Sequence, residues 1–285
     1  MTLHAMLRPI TPAILALGLA SPAATAADDA IPVTVSIVPQ EWLVDSIGGE
    51  HVTADAMVEP GASPATYEPK PSQMRSISES EIYFSIGVPF ENAWLPRMRD
   101  SAPDMQIVDM AAQVQRRTME GTDDARDPHV WLSPVTMRAM ASTVVETLSD
   151  QRPGLAEAFR RNYAQTIATI NAVDADIAEA LVSVPERTFM VYHPVWGYLA
   201  DTYDLQQMAI ETGGSEPSPQ DMQRIIDAAR ASDIQVIFVQ PQFSQRSARA
   251  IAENLNGEVQ SLNPLAYDWP ENMRAVADTF AATLR

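Results

Sequence analysis

Apolar and polar positions divide the chain into two βα halves around one long helix. Residues 31–38 are rich in β-branched side chains and run up to Pro39, which predicts a buried strand. A short helix over 39–47, stopped by Gly48 and Gly49, leads to a second strand at 52–58. Residues 59–69 hold Pro60, Gly61, Pro64 and Pro69 and read as a loop. Helices near 71–80 and 89–101 then alternate with strands at 82–86 and 105–108. Residues 115–128 are polar and acidic and read as an exposed loop, followed by a helix over 135–149. Next, Leu155, Phe159, Tyr163, Ile167, Ile170, Val173, Ile177, Leu181 and Val184 recur at the α-helical period. Bounded by Pro153 and Pro185, this stretch predicts one helix of about 30 residues, about 45 Å long.

The second half repeats the alternation. Strands are predicted at 188–192, 208–210, 234–239 and 258–261. Helices run to about 202, from the capping box Ser218-Pro219-Gln220-Asp221 to about 231, over 245–255, and from Pro270 onward. Such alternation implies parallel, doubly wound sheets. The expected fold class is α/β: two lobes, each a parallel sheet with flanking helices, joined by one long rigid helix. The expected boundaries are a signal peptide over 1–26, an N-terminal lobe over 27–150, the linking helix over 151–185 and a C-terminal lobe over 186–285.

The leader is read from Arg8, the mostly apolar stretch 10–20 and the small-x-small site Ala24-Thr25-Ala26. It is too short, and too broken by Pro9 and Pro12, to span a bilayer. The expectation is an exported, periplasmic chain without direct membrane insertion. At 285 residues and 46% hydrophobic, the chain can bury a sizeable core in one or two domains. A formal charge of −18 argues against nucleic acid and anionic membranes as partners, and favours a cationic ligand. There is no cysteine, so disulfides and thiolate metal sites are excluded. His, Asp and Glu remain as metal ligands, which suits zinc, manganese or iron better than cuprous copper.

Only four histidines are present. His4 belongs to the leader, and His51 reads as a surface residue. His129 lies in the rigid stretch Asp127-Pro-His-Val-Trp131, and His193 at the carboxyl end of a strand, before Pro194-Val195-Trp196. Open α/β sheets bind ligands at strand carboxyl ends, so one histidine per lobe would face a shared cleft. From residue type alone, each also reads as a hydrogen-bonded, half-buried histidine. Asp268 likewise reads as the N-cap of the last helix. HExxH, GxSxG, P-loop and GxGxxG patterns are all absent, so no catalytic signature marks the chain as an enzyme.

Several segments nevertheless form a set. They are Pro60-Gly-Ala-Ser-Pro-Ala65-Thr-Tyr-Glu-Pro69, Asp127-Pro-His-Val-Trp131, Tyr192-His-Pro-Val-Trp-Gly-Tyr198, Glu216-Pro-Ser-Pro219 and Val236-Ile-Phe-Val-Gln-Pro-Gln-Phe243. In this order, behind an exported start, they resemble the zinc- and manganese-specific solute-binding proteins of ABC importers (ZnuA- and TroA-like), across essentially the whole mature chain. The resemblance implies His129, His193 and Asp268 as metal ligands. It also exposes a departure: Ala65 stands where the family pattern has a histidine. Tyr67 and Glu68 are the nearby side chains able to substitute. The 115–128 loop is short and acidic where zinc-specific members often carry a histidine-rich one, but two imidazoles still lean toward zinc over manganese.

The implied function is a non-enzymatic, monomeric receptor. It captures zinc, with manganese as the alternative, between the lobes and delivers it to a membrane ABC permease. Ala65 leaves another reading open, an adhesin-like, accessory or metallochaperone protein with a weakened site. A zinc hydrolase, with water in the open position and Glu68 as base, is a further alternative.

Overall fold

The computed structural model describes residues 30–284 except 121, 123 and 212–214, so the expected leader lies outside the described residues. The first sheet holds β1 (Ile31–Val35), β2 (Val52–Ala56), β3 (Ile82–Ser85) and β4 (Gln106–Asp109) in the order β2-β1-β3-β4. The second holds β5 (Thr188–Val191), β6 (Gln206–Ala209), β7 (Val236–Val239) and β8 (Glu258–Ser261) in the matching order β6-β5-β7-β8. Every pairing is parallel. In each lobe the chain steps outward from its first strand, then returns to that strand's other side. This reversal opens a crevice at the carboxyl ends of β1/β3 and of β5/β7.

The strand β1 is shorter than its apolar run. After Val35 the amides of Ser36 and Ile37 both donate to Gln40 Oε1 at 3.1 Å, so they leave the sheet ladder and turn the chain into α1 (Val38–Gly48). Gln40 is fully buried, and its Nε2 donates to the Phe84 carbonyl across the crevice. α2 (Pro71–Ile77), α3 (Pro89–Ser101) and α4 (Pro134–Gln151) complete the first lobe. α6 (Gly197–Thr202), α7 (Pro219–Ala231), α8 (Arg246–Leu255) and α9 (Trp269–Thr283) belong to the second. The capping box at α7 forms as its sequence predicts, with the Ser218 hydroxyl accepting the Asp221 amide.

The long helix α5 (Ala156–Leu181) has 26 residues, about 39 Å at 1.5 Å per residue. Pro153 starts a separate 3-10 turn (Pro153–Leu155) ahead of it, which trims the predicted length at its start. Phe159, Ile170, Val173, Ile177 and Leu181 form its buried stripe and pack against α1, α4 and α9. α1 and α4 come from one lobe and α9 from the other, so α5 joins the lobes through shared core. The same hydrophobic cluster takes in Val35 and Phe84 of the first sheet and Phe189, Phe238 and Phe280 of the second lobe.

Two buried indoles add direct ties between the lobes. Trp131 Nε1 donates to the Pro264 carbonyl, and Trp269 Nε1 donates to the Trp131 carbonyl, both at 2.7 Å. The segment 115–128 is a third tie, which corrects its reading as a plain exposed loop. Thr118 and Arg126 form an antiparallel bridge, and Asp127 and Pro128 are buried. Glu120 accepts from the Ala209 amide and from Gln207 Nε2, so the loop is fastened to β6 of the opposite lobe. The acidic character read as solvation is used here to satisfy an edge strand.

Candidate metal site

His193 lies two residues past the end of β5, at the crevice of the second sheet. Its backbone is clamped to the residue after β7: Gln240 Nε2 donates to the His193 carbonyl at 2.8 Å, and the His193 amide donates to Gln240 Oε1 at 3.4 Å. Gln240 is buried, so the two strand ends are locked across the switch point. His129 is placed by Pro128 on one side and by a buried 3-10 turn (Val130–Leu132) on the other. That turn feeds α4, whose N-cap Ser133 accepts the Val135 amide. His129 is therefore held by structure built from its immediate sequence, and His193 by a strand end 47 residues away.

The two rings meet between the lobes, with centroids 5.3 Å apart and planes at 80°. His193 stacks on Phe243 with ring centroids 5.0 Å apart, and His129 meets Trp131 edge-on with centroids 5.3 Å apart. In both rings Nδ1 is committed to a buried carboxylate. His129 Nδ1 lies 2.7 Å from Asp127 Oδ1, which also accepts the His129 amide at 3.0 Å. His193 Nδ1 lies 2.5 Å from Glu211 Oε2. An Nδ1–H donated to a carboxylate assigns the lone pair to Nε2 and raises its basicity, the usual arrangement behind a metal-ligating histidine. Arg117 supports the first pair, lying 3.9 Å from Asp127 and 3.2 Å from Asp201. Its guanidinium packs over Gly197, where a Cβ would collide with Nη1. Tyr198 completes the frame by donating to the Asp127 carbonyl at 3.0 Å.

Burial pushes the His129 imidazolium pKa down, outweighing the opposing pull of Asp127. The ring is thus neutral, the form a metal requires. The lowered pKa also gives a signed prediction for the metal-free protein. Below the ordinary histidine value of about 6.5, the unfolded chain binds a proton that the folded chain refuses, so this group's contribution falls as pH falls. Glu41, raised to about 7 by burial beside Asp45 and Asp55, acts in the opposite sense. The difference between wild type and His129→Asn isolates the term: thermal melts from pH 7 to 5.5 should show a steeper loss of Tm in the wild type.

Both rings line a cavity of about 400 Å³. Its walls are mainly apolar, with Val88, Trp131, Val195, Phe243 and Leu265, and its polar groups include Asn92, Gln242 and Arg126. Ala65 lines the same cavity, beside Ser63 and Pro64. The position expected to carry a histidine therefore faces the two imidazoles' chamber with a methyl group. Neither nearby substitute reaches it. Tyr67 packs against Phe90 at 5.8 Å and donates to Gln73, and Glu68 is exposed outside the cavity lining.

Asp268 is not brought to the imidazoles either. Its carboxylate accepts the Glu271 amide at 3.1 Å as the N-cap of α9, and the residue is exposed outside the lining. The orphan amide at the helix start claims this carboxylate. His51 also differs from its expectation, being half-buried with its ring against the edge of Phe159 at 6.2 Å. Among the described residues no group of three or more His, Asp or Glu is gathered to hold a metal. What the fold does bring together is the two imidazoles, each braced by its own carboxylate.

Asp127 and Glu211, the carboxylates in contact with the two imidazoles, are candidate site residues that sequence reasoning missed. Asp127 carried a signal, two residues before His129. Glu211 had none: it reaches the site because its amide donates to the Tyr192 carbonyl as the chain leaves β6. Replacing Glu211 by Gln should weaken zinc binding about 10–100-fold, the usual cost of removing such a brace, with calorimetric titration as the measure.

Comparison with known proteins follows this geometry. The family described as ZnuA, zinc-uptake complex component A, periplasmic, matches residues 33–283. A crystal structure of ZnuA is 36% identical, with a TM-score of 0.87 over 90% of this chain and 100% of that one. A zinc-bound deletion mutant of ZnuA matches at the same 36% identity and TM-score of 0.87, over 90% of this chain and 98% of that one. The zinc-binding lipoprotein AdcA of Streptococcus pneumoniae is 23% identical over 265 residues, 87% of this chain and 53% of AdcA. With a family match spanning nearly the whole described chain, two parallel βα lobes in common and a histidine from each lobe at their junction, the chain belongs to the ZnuA family of periplasmic zinc-uptake components.

Proposed function

We propose that this chain is a periplasmic receptor that captures a divalent transition metal between its lobes and delivers it to an ABC permease. Zinc is the favoured cargo and manganese the alternative. The observation that carries the reading is the pair of carboxylate-braced imidazoles, one from each lobe, with Nε2 as the free donor atom of each. Two neutral nitrogens suit zinc better than manganese, which prefers oxygen. His129 and His193 are the ligands, and water or another small donor completes the coordination beside Ala65. Asp268 serves as a helix cap in this reading. The buried ties through α5, Trp131 and Trp269 restrict closure to small adjustments around the bound ion.

Among the described residues no carboxylate lines the cavity, Glu68 lying outside it, which supports a receptor over a hydrolase with Glu68 as base. The test is titration of the demetallated protein with zinc and with manganese, followed by calorimetry. Saturable binding of one zinc per chain, tighter than that of manganese, is expected. Absence of zinc binding at micromolar concentration would overturn the reading.

A further inference from the structure

A bare metal ion does not account for the space around these histidines. The cavity they share holds about 400 Å³, whereas a water molecule occupies roughly 30 Å³ of liquid. Cavities of 300–1,000 Å³ are the size class of organic ligands and cofactors. The protein supplies two imidazoles, and zinc sites ordinarily reach four donors. Ala65, on the wall of the same chamber, supplies neither a donor nor bulk.

The wall offers the chemistry of an organic anion instead. Arg126 lines the cavity, and its Nη1 donates to the Arg116 carbonyl at 3.1 Å. It makes no ion pair among the described residues. Arg126 is the one lysine or arginine among the described residues that line the cavity, so it supplies the positive charge there in a chain with 37 acids against 19 bases. Asn92 and Gln242 add amide groups, while Phe243 and Leu265 give apolar surface.

We propose that the site takes its metal as a chelate: zinc held by His129 and His193 and by a small, at least bidentate carboxylate ligand, whose remaining charge faces Arg126. This rests on the metal-receptor reading and names the form of its cargo. The chelator fills the space and the coordination positions that Ala65 leaves. α-Amino acids and hydroxycarboxylates share this chemistry, and the two are told apart by separate probes.

The experiment uses the whole demetallated protein. Zinc is titrated alone, with L-histidine and with citrate, each at a fixed excess, and free zinc is calculated from the chelator's own stability constant. Native mass spectrometry records what is bound. The expected result is a species containing one chain, one zinc and one chelator, with zinc affinity at the same free zinc raised about tenfold or more by at least one probe. The arm that gives the gain identifies the source class. In Arg126→Gln the ratio of affinities with and without chelator should fall toward one, and in Ala65→His a third imidazole should remove the gain. If zinc binds alone and both chelators merely strip it away, with no ternary species, the chelate proposal is overturned while the receptor reading stands. If no zinc binds in any arm, both are overturned.

Discussion

His129→Ala should lower zinc affinity by more than about 100-fold, beyond the 10–100-fold typical of losing an outer brace, because it removes a donor itself. The chamber has two imidazoles, and neither Glu68 nor Asp268 stands at its wall to replace the missing one. The remaining ligand, His193, would hold the ion from the second lobe alone, so the ion's link between the lobes would be lost as well. A stability control separates this from misfolding. His129 donates no side-chain bond except to Asp127, so the variant should keep its circular dichroism spectrum while losing zinc in equilibrium dialysis. A loss of less than about tenfold would show that another group supplies the donor, and would overturn the assignment of His129 as the first lobe's principal ligand.

Ala65→His should have the opposite sign and a comparable size, tightening zinc binding about 100-fold. Three protein nitrogens and one open position are a common zinc arrangement, whereas two nitrogens leave half the shell to weak donors. The loop that carries residue 65 is already anchored, with the Phe90 amide donating to the Pro64 carbonyl, so little ordering is needed to present the new ring. The residue lines the cavity with only its methyl group, so a larger side chain enters open space. Parallel calorimetric titrations of the two proteins, without added chelator, measure the gain. An unchanged affinity would mean that a third donor is already in place.

The two lobes were legible in the sequence because the signals that build them act at short range. Strand-forming runs at 188–191 and 258–261, the proline at each end of the long helical pattern, and Ser218 with Asp221 all specify structure through neighbours a few residues away. The helical period across Phe159 to Leu181 survives intact because one face of α5 is buried along its length. His129 and His193 were legible for a related reason. Each sits at a chain reversal, between a breaker and a buried aromatic residue, where an α/β sheet places its ligands.

Membership of the site was a different matter, decided by tertiary structure. Asp268 and Glu68 are carboxylates in plausible sequence contexts, yet one is claimed by a helix amide and the other is exposed outside the cavity lining. Glu211, with no motif around it, becomes the brace of a histidine 18 residues earlier, because the parallel pairing of β5 with β6 sets their ends side by side. The 115–128 segment turned from presumed solvent-facing loop to inter-lobe fastening because an edge strand of the other lobe offers an amide to Glu120. Local spacing determined the elements and the two candidate imidazoles, and the resemblance to the metal-receptor family marked the gap at Ala65. Glu211's place beside His193 depends on the pairing of β5 with β6, and the chamber between the two imidazoles on how the two lobes approach each other, which no short-range pattern encodes.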